Sequence, residues 1–176
     1  MSGHVRRASI VSGYFNPLHV GHLRMMEAAR ELTGHLIVIV NNDAQQVLKK
    51  GRIILPLDDR MEIVRALRVT DEAVAAEDDD ATVQRTLRAI RESHPDTGLV
   101  FANGGDRSSA ARISEADVCE ELGIELRFGV GGEEKADSST RINDALDAGD
   151  NDAGSNEAGD NDAGGNEAQG NEKGRP

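Results

Sequence analysis

The sequence predicts an α/β domain in three layers, with a five-stranded, mostly parallel sheet between two layers of helices. Strand and helix signals alternate along residues 8–142, which is the order expected of a parallel sheet with right-handed crossovers. The strand signals are nearly continuous apolar runs, as in strands that are buried on both faces. Aromatic residues make up only 2% of the chain, so Val, Ile, Leu and Ala must form the core.

Five strands are expected from apolar runs that end in turn residues. They cover residues 9–13, 35–40, 72–76, 99–102 and 124–128. Four helices are expected from apolar residues at helical spacing. They cover residues 20–32, 58–67, 81–92 and 114–122. This order is typical of a single Rossmann-like domain, in which ligands bind beyond the carboxyl ends of the strands.

The C-terminal segment differs in composition from the rest of the chain. It repeats every five residues and consists mainly of Asn, Asp, Glu, Ala and Gly. Glycine in every pentad opposes a helix, and so few apolar residues cannot offset the entropy lost on ordering. We therefore predict one folded domain over residues 1–147 and a disordered acidic tail over residues 148–176.

The charge balance limits the partners that are expected. The net charge is −12, and four lysines stand against sixteen arginines, a composition that indicates a halophilic protein. An acidic surface disfavours nucleic acids and anionic membranes, and no apolar run reaches the roughly 18 residues of a membrane span. Cys119 is the only cysteine and lies in an apolar stretch, so it is expected in the core of a cytoplasmic protein.

The strongest functional signal is the decapeptide GYFNPLHVGH at residues 13–22, which follows the first strand. A helix is expected to begin within it, and the N–H groups and dipole of a helix N-terminus favour an anion. His19 and His22 lie on the same side of that helix start, where each imidazole can donate a hydrogen bond to phosphate. Gly21 lets the backbone come close to the ligand. Spacing alone leaves open a metal pair or two unrelated histidines, but the whole decapeptide favours phosphate.

The decapeptide resembles the signature loop of the cytidylyltransferase-like nucleotidyltransferases. Residues 138–142, SSTRI, resemble the second signature of that superfamily, a Ser/Thr-rich turn that opens a helix. Members include glycerol-3-phosphate cytidylyltransferase, the heptose-phosphate adenylyltransferases, archaeal FAD synthetase and nicotinamide-nucleotide adenylyltransferase. The resemblance implies transfer of a nucleoside monophosphate from a nucleoside triphosphate to a small phosphorylated molecule, with release of pyrophosphate. It also implies Mg²⁺ as cofactor and a homodimer, with CTP slightly favoured over ATP.

The resemblance implies roles for particular residues as well. The histidines hold the triphosphate, and the lysines, expected in a loop, neutralise the α-phosphate or the incoming phosphate. The implied catalytic residues are His19, His22, Lys49, Lys50 and Arg141. The implied nucleotide-binding residues are Gly13, Tyr14, Phe15, Asn16, Gly21, Gly104, Gly105, Asp106, Ser138, Ser139 and Thr140. Arg60 and Arg107 are implied to bind substrate, and no metal ligand is expected among the side chains.

Several alternatives stay open at this point. The two lysines could form a solvated pair, and Arg60 could pair with Asp58 or Asp59 on the surface. Asn16 stands where relatives often have Asp, and residues 133–137 are unusually acidic. Both features are compatible with a non-catalytic, nucleotide-binding regulatory module. The acidic run at residues 77–80 is predicted to be a helix-capping loop rather than a metal site.

Overall fold

Five strands form one parallel sheet, and they are β1 Arg7–Gly13, β2 Leu36–Val40, β3 Glu72–Ala75, β4 Gly98–Ala102 and β5 Glu125–Arg127. Their order across the sheet is β3–β2–β1–β4–β5, and every neighbouring pair is parallel. The connection order reverses between β1 and β4, so the carboxyl ends of these two strands form the crevice at which such sheets bind ligands. The predicted α/β class and the five-stranded parallel sheet are confirmed.

The structure is a computed structural model that describes residues 6–104, 113–131 and 139–153. Its helices are α1 Val20–Thr33, α2 Asp43–Lys50, α3 Leu57–Ala66, α4 Gln84–Ser93, α5 Ala116–Glu121 and α6 Ser139–Ala153. None of these helices is long and apolar enough to cross a membrane. The chain divides into two units, Met1–Asn143 and Asp144–Pro176, and the first contains all five strands.

The sheet is covered on both faces because successive side chains of its central strands point in opposite directions. In β1, Ile10 joins a core cluster with residues of α4 and α5, whereas Val11 joins a second cluster with residues of α1 and α3. Cys119 belongs to the first cluster and is fully buried, as expected from its sequence context. Burial, reinforced by the charge of Glu115, raises the pKa of this thiol to about 12.

Helix α2 was not predicted, and Lys49 and Lys50 lie in its last turn rather than in a loop. Hydrophobic periodicity does not reveal this helix, because the two residues that it buries, Gln45 and Gln46, are polar. The signals that identify it are at its ends: Asn42 and Gln45 form a reciprocal capping box. Gly51 ends the helix in the left-handed conformation, at φ 74°.

Helix α6 runs to Ala153, six residues beyond the boundary predicted at residue 147. Glycine disfavours helix in isolation, but the helix has already been nucleated at Ser139. Each further residue then adds a hydrogen bond without the cost of starting a new turn. The rest of the predicted tail, residues 154–176, lies outside the described residues.

The loop after β1 is shaped by an aromatic ring. Phe15 is 2% exposed and adopts φ 51°, a left-handed conformation that bulky residues rarely take. The peptide bond between Asn16 and Pro17 is cis. A Cβ atom on Gly13 would lie 2.7 Å from Cζ of Phe15. Gly13 is therefore required by the packing of this ring, independently of any ligand.

Replacing Gly13 by alanine should destabilise the protein, because the new methyl group overlaps a buried ring that has no free space to enter. Overpacking of this kind costs about 1–3 kcal/mol of the free energy of unfolding, which urea denaturation measures. Gly98→Ala is the control, since the nearest atom to its added Cβ is 3.4 Å away and the stability should hold or rise. Equal stability of the two variants would contradict this packing role of Gly13.

Candidate active site

The two histidines of the decapeptide form the N-terminal cap of α1. Nδ1 of His19 accepts a hydrogen bond from the N–H of Gly21 at 3.2 Å. Nδ1 of His22 accepts one from the N–H of His19 at 3.4 Å, which completes a reciprocal capping box. Because each Nδ1 is an acceptor, each neutral ring carries its proton on Nε2. The ring centroids are 3.8 Å apart with 30° between the planes, so two Nε2–H donors lie on neighbouring rings.

His22 is neutral in the folded protein over the physiological pH range. Burial lowers its pKa to about 4, and repulsion from a protonated His19 acts in the same direction. The edge of its ring meets the Phe15 ring, with centroids 5.1 Å apart and 78° between the planes. The structure thus presents His22 as a hydrogen-bond donor rather than as a cation.

The last turn of α2 brings two ammonium groups to this loop. Nζ of Lys49 lies 4.5 Å from the centroid of the Tyr14 ring, over its face. Nζ of Lys50 donates a hydrogen bond to Oγ1 of Thr140 at 3.0 Å. The lysine pair therefore connects the first motif with the second.

The first turn of α6 also contacts the first motif directly. Oγ of Ser139 donates a hydrogen bond to the carbonyl oxygen of Pro17 at 3.0 Å. The buried amide of Asn143 donates another to the carbonyl oxygen of Asn16 at 3.2 Å. Arg141 is exposed in the same turn. Two segments that are 122 or more residues apart in the chain thus lie together with the lysines of α2.

Arg60 is 1% exposed, whereas the sequence predicted a substrate-binding or surface side chain. Its guanidinium donates to the carbonyl oxygens of Tyr14 at 3.0 Å, Asn41 at 2.5 Å and Leu55 at 2.9 Å. Its ion pair is with Asp43 at 2.7 Å, not with Asp58 or Asp59. These four acceptors show that Arg60 lies beneath the loop after β1. It joins this loop to the end of β2 and the start of α2.

Asn16 is held by a buried amide that was not predicted from the sequence. It is 3% exposed, and its Nδ2 donates to Oε1 of Gln46. The same Oε1 accepts the N–H of Ile54 at 2.6 Å, and Nε2 of Gln46 donates to the carbonyl oxygen of Leu55 at 3.0 Å. Gln46 therefore presents an acceptor to Asn16. Oδ1 of Asn16 has no hydrogen-bond partner among the described residues.

The remaining predicted residues are placed as follows. Gly104 follows β4 beside α1, where an added Cβ would lie 2.7 Å from Sδ of Met25. Asp78 caps α4 as expected, since its carboxylate accepts the N–H groups of Arg85 at 2.7 Å and Thr86 at 3.1 Å. Gly105, Asp106, Arg107, Ser138 and the acidic stretch at 133–137 lie outside the described residues.

A family described as cytidylyltransferase-like matches residues 10–143, a span that includes both motifs and the lysines between them. The chain belongs to the cytidylyltransferase-like family of nucleotidyltransferases. The membership predicted from the decapeptide and the SSTRI turn is thereby confirmed.

Individual relatives of this nucleotidyltransferase show how far the similarity extends. This chain is 38% identical over 113 residues to the FAD synthase of Pyrococcus abyssi, and the alignment covers 64% of this chain and 72% of the relative. It is 42% identical over 113 residues to the bifunctional protein HldE of Streptomyces coelicolor, covering 63% of this chain but 22% of that longer protein. A lipopolysaccharide core biosynthesis protein from Thermoplasma volcanium has the same fold, with a TM-score of 0.52 and 19% identity over 74% of this chain and 98% of that one.

The neutral state of His22 predicts acid sensitivity of the nucleotidyltransferase. Between pH 6.5 and about 4 the unfolded chain binds a proton at His22 that the folded chain excludes, so stability falls as the pH falls through this window. From pH 7 to 5 this group alone removes about 2 kcal/mol from the free energy of unfolding. His22→Asn should remove that part of the pH dependence in urea titrations, whereas His35→Asn, at an exposed ring outside the motif, should keep it. An unchanged slope in His22→Asn would refute the assignment.

Replacing Asn16 by aspartate tests whether Gln46 presents its oxygen, an acceptor, to residue 16. A carboxylate at this position faces the Oε1 acceptor of Gln46 and loses the donor, which costs about 1–3 kcal/mol of stability at pH 7. Burial beside an acceptor raises the pKa of the new carboxyl group, so the deficit relative to the parent protein should shrink as the pH falls and the protonated acid donates instead.

Asn16→Ala is the matched control, because it removes the donor without adding a titrating group. Its deficit relative to the parent protein should not vary with pH. A pH-independent deficit in Asn16→Asp as well would show that Gln46 does not present an acceptor there.

Proposed function

We propose that the protein transfers a nucleoside monophosphate from a nucleoside triphosphate to a small phosphorylated molecule and releases pyrophosphate. The observation that carries this proposal is that three segments, distant in the sequence, meet at one site. The histidine cap of α1, the lysines of α2 and the Ser/Thr turn of α6 come together beyond the carboxyl end of β1. All three offer donors or positive charge, which is what a triphosphate requires.

The histidines are proposed to bind the triphosphate through their Nε2–H groups. Both rings are already oriented by their Nδ1 contacts to the backbone, so no reorganisation is needed when phosphate arrives. Donors fixed in this way stabilise the negative charge that develops on the transferring group. A phosphate oxygen of the acceptor attacks the α-phosphorus, a new P–O bond forms, and the bond to the β-phosphate oxygen breaks. No covalent intermediate with the protein is required.

The lysines and the turn of α6 are proposed to hold the rest of the triphosphate. Lys49 and Lys50 neutralise charge on the α-phosphate and the incoming phosphate. Ser139, Thr140 and Arg141 bind the β- and γ-phosphates from the first turn of α6, where the helix dipole favours an anion. The Lys50–Thr140 contact supports this assignment, because the ammonium already lies at that turn.

Mg²⁺ is the proposed cofactor, and it is proposed to enter with the nucleotide. The described residues contain no group of three His, Cys, Asp or Glu side chains that could hold a metal. The side chains of the described residues therefore do not form a metal-binding site by themselves. Mg²⁺ commonly binds through substrate phosphates while it keeps several waters, so the triphosphate itself would carry the ion. No step of the proposed reaction depends on a metal held by the protein.

The nucleotide base is proposed to be adenine, although the family resemblance slightly favoured cytosine. The FAD synthase relatives support this choice, since FAD contains an adenosine monophosphate unit joined to a flavin phosphate. The same relatives make flavin mononucleotide one acceptor to test among other phosphomonoesters. The similarity to HldE covers a fifth of that protein and leaves a sugar phosphate as the second acceptor class.

The direct test is release of pyrophosphate from ATP or CTP with Mg²⁺ and a panel of phosphomonoesters that includes flavin mononucleotide. His19→Ala and His22→Ala should each lower the turnover rate about 100-fold or more, because each removes a preorganised donor. His35→Ala is the control for loss of an imidazole elsewhere. No release from any pair would overturn the proposal. Tight nucleotide binding without release would favour the regulatory module instead.

A further inference from the structure

We propose that Tyr14 is a positioning residue, whose ring holds the ammonium group of Lys49 at the phosphate site. The assignment rests on the proposed function, in which Lys49 meets phosphate. It differs from the sequence-based expectation for Tyr14, which was direct contact with the nucleotide. It also separates the two lysines, since Lys50 is directed to Thr140 and Lys49 to the ring.

The first observation is the geometry of the pair. Nζ of Lys49 lies over the face of the Tyr14 ring, 4.5 Å from its centroid. This is within the distance of about 6 Å at which the negative face of an aromatic ring attracts a cation. Lys49 is exposed on the last turn of α2, and its long side chain extends to this ring. The contact places the ammonium group on the side of α2 that faces the loop after β1.

The second observation is that the backbone that carries the Tyr14 ring is held in place by its neighbours. The carbonyl oxygen of Tyr14 accepts a hydrogen bond from Nη1 of Arg60 at 3.0 Å, and Arg60 is buried. On the other side Phe15 packs its ring against Gly13 and holds the backbone of the loop. The Tyr14 ring is half-buried. A ring carried on a backbone held in this way offers the Lys49 ammonium group a face in a defined place.

The chemistry of the ring fits this role. Burial raises the pKa of the Tyr14 phenol, while the charge of Arg60 opposes the shift. The phenol therefore stays protonated, and the ring acts on Lys49 through its neutral π face. Phenylalanine offers the same aromatic face without the hydroxyl group. Tyr14→Phe therefore tests whether the ring or the hydroxyl group holds Lys49.

The contact is tested first without any nucleotide. The chain contains only four lysines, so reductive ¹³C-methylation gives a simple spectrum in which the Lys49 signal can be assigned with Lys49→Arg. Ring current should move this signal upfield in the parent protein and in Tyr14→Phe, but not in Tyr14→Leu. If Tyr14→Leu does not fold, Tyr14→Met poses the same question. A Lys49 shift that is the same with and without the ring would overturn the proposal.

The functional part is a double-mutant cycle on binding of the Mg²⁺ complex of ATP, measured by calorimetry. Tyr14→Leu should weaken binding about two- to fivefold, as expected for loss of one exposed cation–π contact, and Tyr14→Phe should rescue it. In a Lys49→Met background, Tyr14→Leu should add no further loss. An equal loss in both backgrounds would show that Tyr14 acts without Lys49 and would overturn the proposal. If the parent protein binds no nucleotide, the proposed function fails, while the methyl spectra still decide the Tyr14–Lys49 contact.

Discussion

The site depends on one buried guanidinium. Arg60 joins four segments at a single point: the loop after β1, the end of β2, the start of α2 and the α2–α3 connection. A cation can be buried at acceptable cost only when its donors are satisfied, and here three carbonyl oxygens and the carboxylate of Asp43 satisfy them. Because the same contacts hold the carbonyl of Tyr14 and the helix that carries the lysines, Arg60 fixes the backbone on both sides of the proposed phosphate site.

In the proposed function, the histidine pair serves two purposes with different ring atoms. The Nδ1 atoms of His19 and His22 cap backbone N–H groups at the start of α1, so the rings are part of the helix. The Nε2–H groups are then directed by the same contacts, and the burial that lowers the pKa of His22 keeps it neutral. Since the helix cap and the proposed phosphate donor are atoms of the same ring, both rings are oriented without a bound nucleotide.

The site is surrounded by buried polar side chains. Gln45 and Gln46 are fully buried on α2, and each bonds to carbonyl oxygens of neighbouring loops. The Gln46–Asn16 contact extends this network to the first motif. Hydrogen bonds of this kind are directional, whereas apolar contacts tolerate small shifts, so they suit a site whose loops must keep one geometry.

The sequence by itself determined the fold class, the strand positions and the family. Alternating apolar runs report burial directly, and the decapeptide and the SSTRI turn are local signals that do not depend on distant residues. Only the tertiary structure decided that α2 buries Gln45 and Gln46, that Arg60 is buried and that Lys49 and Lys50 have different partners. The physical reason is that these features are polar contacts between segments far apart in the chain. Hydrophobic periodicity carries no information about which donor meets which acceptor across a folded chain.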